Sequence, residues 1–261
     1  MEYYLDLKKI RESKPLIHHI TNYVVMNDSA NITLALGASP IMAHALEELE
    51  DLISMADTLY LNIGTLDTDW VNSMIRAGKL AEKYNVPVLL DPVGMGASEL
   101  RNNTVRNFLE SFGVSVIKGN GGEMLSLYGI NGGVKGVDSV RGATLEIATG
   151  IAEKYNTTAV ITGKIDFISD SKRRAKIENG SEMFQYITGS GCMLGSVISS
   201  FIGVNRDAFI ASIEGLLTFD IAGEIAGKKS AGPASFRENL MDEIYNFNEE
   251  NYRFAKVTVY G

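Results

Sequence analysis

Short apolar segments rich in β-branched residues alternate, up to residue 163, with longer segments in which apolar positions recur every three or four residues. Short runs of this kind are typical of strands buried on both faces, and the longer period indicates amphipathic helices. The alternation predicts an α/β fold with a mostly parallel central sheet flanked by helices on both faces. The predicted strands are 16–20, 58–64, 86–92, 114–120 and 157–163, and the predicted helices include 22–36, 67–84, 103–112 and 138–154.

The pattern changes after residue 163. Three short segments separated by turn residues, at 166–170, 175–179 and 182–187, predict antiparallel strands at one edge of the sheet. The chain contains no linker, low-complexity stretch or internal repeat, so we expect residues 1–261 to form a single domain. Helical periods follow the three short segments at 190–202, 206–227 and 236–248, and a last strand is predicted at 255–259.

Composition and charge narrow the classes of partner. Of the 261 residues, 45% are hydrophobic and 21% are charged, and the formal net charge is −8. This excess of negative charge argues against nucleic acid or an anionic membrane as the main partner. The segment 1–14 has no apolar signal core and no apolar run reaches the length of a membrane span, so we expect a cytoplasmic protein. A single cysteine, Cys192, excludes an internal disulfide and a Cys-rich zinc site.

The motif Thr188-Gly189-Ser190-Gly191-Cys192 precedes an apolar helical segment. Glycines in a tight turn at the start of a helix expose backbone N–H groups and the positive end of the helix dipole, which together bind a phosphate or a developing negative charge. The alternative is a plain strand-to-helix turn. Cys192 lies in the first helical turn, where the dipole can lower the pKa of a thiol. Alternatively, Cys192 is a small buried side chain that packs as an apolar residue and takes no part in the chemistry.

Two carboxylates follow predicted strands. Asp91 ends the most apolar strand, and Glu123 lies three residues after Asn120, on the same face of a helix that would begin there. Carboxylate and amide oxygens at this edge can hold Mg²⁺ through its water molecules. The alternatives are turn formation by Asp91 and a capping box of Asn120 and Glu123 at the helix start. Thr162 and Gly163 end another strand and could contact a phosphate.

The segments 18–28 and 37–42 combine amides, aromatic residues and methionines. Asn22 and Asn27, with a flanking aromatic residue and methionine, would suit a small, mostly apolar ligand that needs a few hydrogen bonds. The alternative is helix capping by Thr21 or Asn22 and core packing by the rest, and the residues alone favour it.

The order and spacing of these motifs resemble the ribokinase-like superfamily and, within it, the hydroxyethylthiazole kinase family. The resemblance covers nearly the whole chain. It implies a ribokinase-like fold and the transfer of a phosphoryl group from ATP to the hydroxyl of 4-methyl-5-(2-hydroxyethyl)thiazole, a step of thiamine biosynthesis. The segments that carry it are HHITNYVVMNDSAN, GASPIMA, LYLNIGTL, VLLDPVGMGAS, IKGNGGEM, AVITG, TGSGC and GPASFRENLMDEIY.

The resemblance also implies roles for the matching residues at the two ligands. Met42, Gly189 and Asn22 would bind the thiazole alcohol, and Arg101 and Thr162 would bind the phosphates of ATP. It further implies a homotrimer in which the alcohol pockets lie between neighbouring subunits.

The remaining implied roles concern the transferred group. Asp91 and Glu123 would organise Mg²⁺, and Cys192 would face the accepting alcohol. The amides of Gly189 and Gly191 would hold the oxygens of the phosphoryl group. In the wider superfamily an aspartate base usually stands at the position of Cys192. Cysteine is what the hydroxyethylthiazole kinases carry, so it supports the narrower family and leaves the identity of the base open.

Other functions on the same fold are the alternatives. They are a kinase of hydroxymethylpyrimidine or of a pyridoxal-type alcohol, an ATP-dependent NAD(P)H-hydrate dehydratase, and a binding protein without turnover. The segment HHITN favours the thiazole kinase. A thiol hydrolase built on Cys192 is disfavoured, because none of His18, His19 and His44 lies in a context that marks a partner for the thiol.

Overall fold

A computed structural model of the protein describes residues 4–130 and 143–260. The strands are β1 (Leu16–Ile20), β2 (Ser39–Met42), β3 (Thr58–Asn62), β4 (Val88–Asp91), β5 (Val116–Asn120), β6 (Thr158–Thr162), β7 (Asp166–Ser169), β8 (Arg174–Ile177) and β9 (Val257–Tyr260). They form one sheet in the order β2-β1-β3-β4-β5-β6-β7-β8-β9. The pairs from β2 to β6 are parallel, and β7, β8 and β9 extend the sheet in antiparallel pairs. The predicted fold class is confirmed.

Helices cover both faces of the sheet. They are α1 (Tyr4–Ser13), α2 (Met26–Leu36), α3 (Leu49–Met55), α4 (Thr68–Tyr84), α5 (Glu99–Ser111), α6 (Gly121–Tyr128), α7 (Ala143–Tyr155), α8 (Ser190–Val204), α9 (Ala208–Lys229) and α10 (Pro233–Asn246). The first two and the last three pack on one face, and α3 to α7 pack on the other. Side chains of each strand alternate between these layers, so Tyr60 joins the first layer and Leu59 and Leu61 the second.

Local signals in the sequence account for several helix boundaries. Asp67 caps α4 by accepting a hydrogen bond from the N–H of Trp70 at 2.8 Å, and Asp207 caps α9 in the same way. A short side-chain oxygen at this position satisfies one of the N–H groups that the helix leaves unpaired. Within the described ranges no helix is long and apolar enough to cross a membrane.

One predicted strand is wrong. Residues 182–187 contain instead the 3₁₀ helix Glu182–Tyr186. The ring of Phe184 stacks on Phe219 of α9, with ring centroids 4.8 Å apart, so this segment packs on a helix. The edge of the sheet beside β8 is taken by β9, which is the predicted last strand.

Other differences from the predicted elements are smaller. The pattern does not predict α1, β2 or α3, which are short or mixed in polarity. Within the predicted helix 22–36, α2 begins only at Met26, because Asn22 Oδ1 accepts a hydrogen bond from the N–H of Val24 in a turn. Of the predicted helix 138–154, residues 138–142 lie outside the described residues.

Candidate active site

Polar side chains collect at the carboxyl edge of the parallel strands. Asn62, Asp91 and Thr162 are the last residues of β3, β4 and β6, and Asn22 lies two residues beyond the end of β1. The register places Asn62 directly opposite Asp91. Helix α8 packs against β1, β3 and β4 and begins at this edge. Parallel strands all end on one side of the sheet, which is why residues far apart in sequence meet here.

Two backbone requirements shape the turn that precedes α8. Gly189 is the N-cap of α8 and has a φ of 79°, a left-handed conformation that residues with a Cβ rarely adopt. A Cβ at this position would also lie 1.9 Å from Cγ1 of Val25. Since no side chain of the described residues caps α8, the N–H groups of Ser190, Gly191 and Cys192 are available for an anion.

A buried lysine lies beside this turn. The ammonium of Lys118 donates to the carbonyl oxygen of Gly191 at 2.8 Å and to Asp91 Oδ2 at 2.8 Å. The Tyr60 hydroxyl and Asn62 Nδ2 also donate to Asp91 Oδ2, at 3.1 and 3.2 Å. Burial lowers the pKa of Lys118, but the nearby acidic groups, Asp91 first among them, together raise it by more, so the net shift is upward. Lys118 is therefore charged at neutral pH and places a cation beside the N–H groups at the start of α8.

Sequence reasoning gave no role to Lys118, Asn62 or Tyr60. The available signal was their position, because Lys118 and Asn62 lie at or near the carboxyl ends of apolar strands and Tyr60 lies two residues before Asn62. What could not be read from the sequence is that all three donate to the same carboxylate oxygen.

Two amides hold the thiol of Cys192. Asn22 and Asn62 each donate from Nδ2 to Sγ, at 3.5 and 3.2 Å, and Asn22 also donates to Asn62 Oδ1 at 2.7 Å. Burial, followed by the negative charge of Asp91, raises the pKa of Cys192. The expectation that the helix dipole lowers this pKa is therefore wrong, because desolvation and a nearby carboxylate outweigh the dipole. The thiol is neutral at neutral pH.

Glu123 lies at the start of α6, where both of its carboxylate oxygens accept backbone N–H groups. Oε2 accepts from Asn120 at 2.8 Å while Asn120 Oδ1 accepts from the N–H of Glu123 at 3.0 Å, which is a capping box. Oε1 accepts from the N–H of Gly94 at 2.8 Å. Burial, followed by the Asp91 carboxylate, raises the pKa of Glu123. The capping alternative is thus observed, and a role at a metal stays a prediction.

The donor set at this edge fits a hydrated Mg²⁺ ion. Three groups donate to Asp91 Oδ2, whereas no described residue donates to Asp91 Oδ1. Asp91 and Glu123 together carry more negative charge than Lys118 neutralises, and a divalent cation would remove the excess. Across residues 4–130 and 143–260 there is no group of three or more His, Cys, Asp or Glu side chains placed to hold a metal. Carboxylates such as these can contact Mg²⁺ through its water molecules.

Arg101, predicted to bind ATP phosphates, lies in the first turn of α5. Its guanidinium donates to the backbone carbonyl oxygens of the loops after β3 and β4, namely those of Ile63, Gly64 and Val93. The described residues that line the neighbouring cavity include Thr162 but not Arg101. Contact between Arg101 and ATP stays a prediction. Among the described residues, Lys118 places a cation beside the turn before α8.

A cavity of about 960 Å³ begins at this turn and runs along the loop after β6. Asn120, Thr162 and Gly191 line it, and Phe184 and Phe219 form an aromatic part of its wall. A cleft of this size, with polar groups at one part and aromatic side chains at another, suits a nucleotide.

Aromatic side chains lie near Asn22, since Tyr23 follows it in the chain and Trp70 Nε1 donates to the carbonyl oxygen of Thr21 at 3.1 Å. The ring of Trp70 stacks on His44, with centroids 3.9 Å apart, and meets the ring of Tyr23 edge-on at 4.9 Å. Met42 ends the neighbouring strand β2 and is half-buried. These side chains could form one wall of a pocket for a small apolar alcohol, and the predicted ligand contact of Met42 is not tested by the structure.

Comparisons with known proteins agree with this geometry. The sequence profile of the hydroxyethylthiazole kinase family matches residues 7–250. A hydroxyethylthiazole kinase from Caldivirga maquilingensis is 57% identical over 259 residues, which is 99% of this chain and 97% of that protein. The structure is similar to that of the hydroxyethylthiazole kinase protein from Pyrococcus horikoshii OT3, with a TM-score of 0.93, 40% identity and 99% of both chains covered. Pyridoxal kinase from Staphylococcus aureus in complex with ADP shares the fold, at 14% identity and a TM-score of 0.66 over 94% of this chain and 98% of that one. The chain belongs to the hydroxyethylthiazole kinase family.

Proposed function

We propose that this chain is an ATP-dependent kinase that converts 4-methyl-5-(2-hydroxyethyl)thiazole to its monophosphate, in thiamine biosynthesis in the cytoplasm. Family membership supports this function. The observation that carries it is the position of the unpaired N–H groups at the start of α8. On one side Gly191 lines the cavity. On the other side the side-chain amides of Asn22 and Asn62 donate to Sγ of Cys192. A phosphoryl group bound there would face a nucleotide on one side and an alcohol on the other.

Phosphoryl transfer depends on positioning and charge stabilisation more than on covalent chemistry. We assign the stabilisation of charge to the amides of the Gly189–Cys192 turn and to Lys118, whose bond to Gly191 holds its ammonium beside them. The neutral thiol of Cys192 then serves as a contact for the alcohol. A strong base is not required, because the hydroxyl proton leaves late in a loose transition state.

We propose that Asp91 and Glu123 hold Mg²⁺ through water molecules. When bound, the ion supplies positive charge that neutralises the triphosphate. Asp91 contributes the open Oδ1 oxygen, while Lys118, Tyr60 and Asn62 fix the orientation of its carboxylate through Oδ2. Glu123 ties the loop after β4 to the start of α6, so it also sets the spacing between the two carboxylates.

We further propose a homotrimer in which a neighbouring subunit completes the alcohol pocket. β2 lies at the edge of the sheet, and all four of its residues are half-buried. Large apolar side chains on adjacent elements are mostly exposed, namely Tyr23 (61%), Val24 (62%), Leu34 (58%) and Leu46 (51%). Exposed apolar side chains that gather in one patch mark a contact surface, and we propose that these four form such a patch. Sedimentation that shows a fully active monomer at the assay concentration would exclude this arrangement.

The deciding experiment is a kinase assay with a panel of acceptors. With ATP and Mg²⁺ the purified chain should form thiazole monophosphate and ADP in equal amounts. Hydroxymethylpyrimidine and pyridoxal test the alternative kinase activities, and hydrated NADH tests for a dehydratase, which would release inorganic phosphate without a phosphorylated alcohol. Faster turnover of any of these three substrates than of the thiazole alcohol would refute the proposed function.

A further inference from the structure

A second pair of carboxyl groups lies at the cavity, on elements to which the proposed reaction assigns no role. Asp166 is the first residue of β7, and Asp220 lies in the middle of α9. Both line the cavity together with Thr162, although they are only 4% and 5% exposed. Asp166 Oδ1 accepts a hydrogen bond from the N–H of Gly163 at 2.9 Å. Its carboxyl group thus holds the turn that follows β6.

The two carboxyl groups lie close enough to share a hydrogen bond. This contact needs a proton, because two ionised carboxylates have no donor between them. Asp220 Oδ2 is buried and has no other hydrogen-bond partner among the described residues. Burial raises the pKa of Asp166 to about 6. Burial, followed by the charge of Asp166, raises the pKa of Asp220 well above its ordinary range. At neutral pH the pair therefore carries one proton and one negative charge.

Charged groups of both signs act on this pair. The positive charge of Lys118 on β5 lowers the pKa of Asp166, and the negative charge of Glu224 on α9 raises the pKa of Asp220. Glu224 is itself paired with Lys256 at 2.9 Å. A triphosphate in the cavity would add negative charge beside the pair, and protonation of Asp166 would relieve the repulsion. The other charged residues that line the cavity are Lys164, Glu178 and Glu182.

We propose that Asp166 and Asp220 form a proton-holding pair that positions the Thr162–Gly163 turn and couples nucleotide binding in this cavity to the uptake of a proton by Asp166. The inference rests on the proposed binding of ATP in the cavity. The proton comes from solvent and forms an O–H bond on the carboxyl group, and no other covalent bond is made or broken. This coupling makes nucleotide affinity highest below pH ~6, where Asp166 is protonated even without nucleotide, and affinity falls with rising pH until Asp166 is ionised in the complex as well.

The test is calorimetric titration of the full chain with a nonhydrolysable ATP analogue and Mg²⁺ between about pH 6 and pH 8, in buffers of different ionisation enthalpy. In the double variant Asp166→Asn/Asp220→Asn, one amide oxygen still accepts from Gly163 and an NH₂ group replaces the shared proton. As the pH rises from about 6 to about 8, the Kd of the wild type should increase about three- to tenfold more than that of the double variant. A shift of about one unit in the pKa of Asp166 on binding limits this effect to about tenfold. The nucleotide itself also ionises in this pH range, but this affects both proteins equally and cancels in the ratio of their Kd values.

Asp220→Asn alone is the second variant, for use if the double variant does not fold. Its amide gives Asp166 a permanent donor and keeps it ionised, so less proton uptake than in the wild type is expected. Glu214→Gln is the matched control. Glu214 is another carboxyl group of α9, and burial raises its pKa to about 10, but it is not among the described residues that line the cavity. It should keep the wild-type pH dependence.

Two outcomes would overturn the inference. If nucleotide binds but both Asp220 variants keep the wild-type pH dependence and proton uptake, the pair does not couple to binding, and the proposed kinase function stands. If the wild type binds no nucleotide at any pH, the proposed function fails and the inference fails with it.

Discussion

Replacing Cys192 tests whether its sulfur is a base or a contact. Burial and the Asp91 carboxylate raise the pKa of the thiol, so that fewer than about 3% of the molecules carry a thiolate at neutral pH. In Cys192→Ala the amide of Asn22 keeps its bond to Asn62 Oδ1, and the amide of Asn62 keeps its bond to Asp91. The cost to stability should therefore be only about 1–2 kcal/mol, from a weak pair of hydrogen bonds and a small cavity.

The activity of this variant distinguishes the two roles. Loss of a general base typically lowers the rate by about 10²–10⁴-fold. If the turn acts through its amides and the dipole of α8, Cys192→Ala should lose less than about tenfold, because those donors survive. Cys192→Asp should also remain active. Its carboxyl group would find two amide donors, and repulsion by Asp91 would move its pKa toward neutrality, where a base works well.

The assay is the rate of thiazole-alcohol phosphorylation by the wild type and both variants between about pH 6 and pH 9. Unfolding curves and ATP binding serve as controls for the fold and for the nucleotide site. A loss of about 10²-fold or more at every pH in Cys192→Ala would show that the thiol is an obligatory base. An inactive Cys192→Asp variant with an intact fold and normal ligand binding would show that this account of the site is wrong.

Three further substitutions test the buried charges. Lys118→Met should lower kcat/KM for ATP by about 10²-fold or more. It should also reduce the free energy of unfolding by about 3–5 kcal/mol, because Asp91 is left without its cation. The control is Lys172→Met, at an exposed lysine, which should change neither kcat/KM nor the free energy of unfolding. Glu123→Gln should strongly reduce turnover in steady-state assays. It should cost about 1–2 kcal/mol of stability, since one of two backbone N–H groups loses its acceptor. Full activity of the wild type in excess chelator would refute the metal assignment. His19→Phe should stabilise the fold more at about pH 5 than at about pH 8 in urea unfolding. Burial lowers the pKa of His19 to about 3, so the unfolded chain takes up a proton below pH ~6.5 that the native ring does not, and the wild type loses stability as the pH falls toward 3. An equal effect at both pH values would show that His19 does not titrate in this way.

Much of the candidate site follows from where strands end. Asp91 and Thr162 were predicted as ligands because each closes an apolar run before a turn, and parallel strands bring such residues to one edge. The turn at Gly189 was predicted from its glycines, and the observed φ of 79° is the conformation that favours glycine. These inferences need only local sequence and the rule that parallel strands share a direction.

Side-chain partners did not follow from the sequence in the same way. Lys118 was part of a recognised motif, yet only the register of β3, β4 and β5 shows that it shares Asp91 with Asn62 and Tyr60. The three donors come from two strands that are separated in sequence. No spacing rule along the chain connects them.

The sequence by itself determined the alternation of most strands and helices, the parallel direction of the main sheet and the edge at which the site lies, because these depend on periodicity and on turn residues close together in the chain. The tertiary structure decided the electrostatics. It reversed the expected pKa shift of Cys192, bound the guanidinium of Arg101 to backbone carbonyls, and placed Asp166 against Asp220. Each of these outcomes depends on burial and on charges from distant segments, and burial exists only once the helices have packed on the sheet.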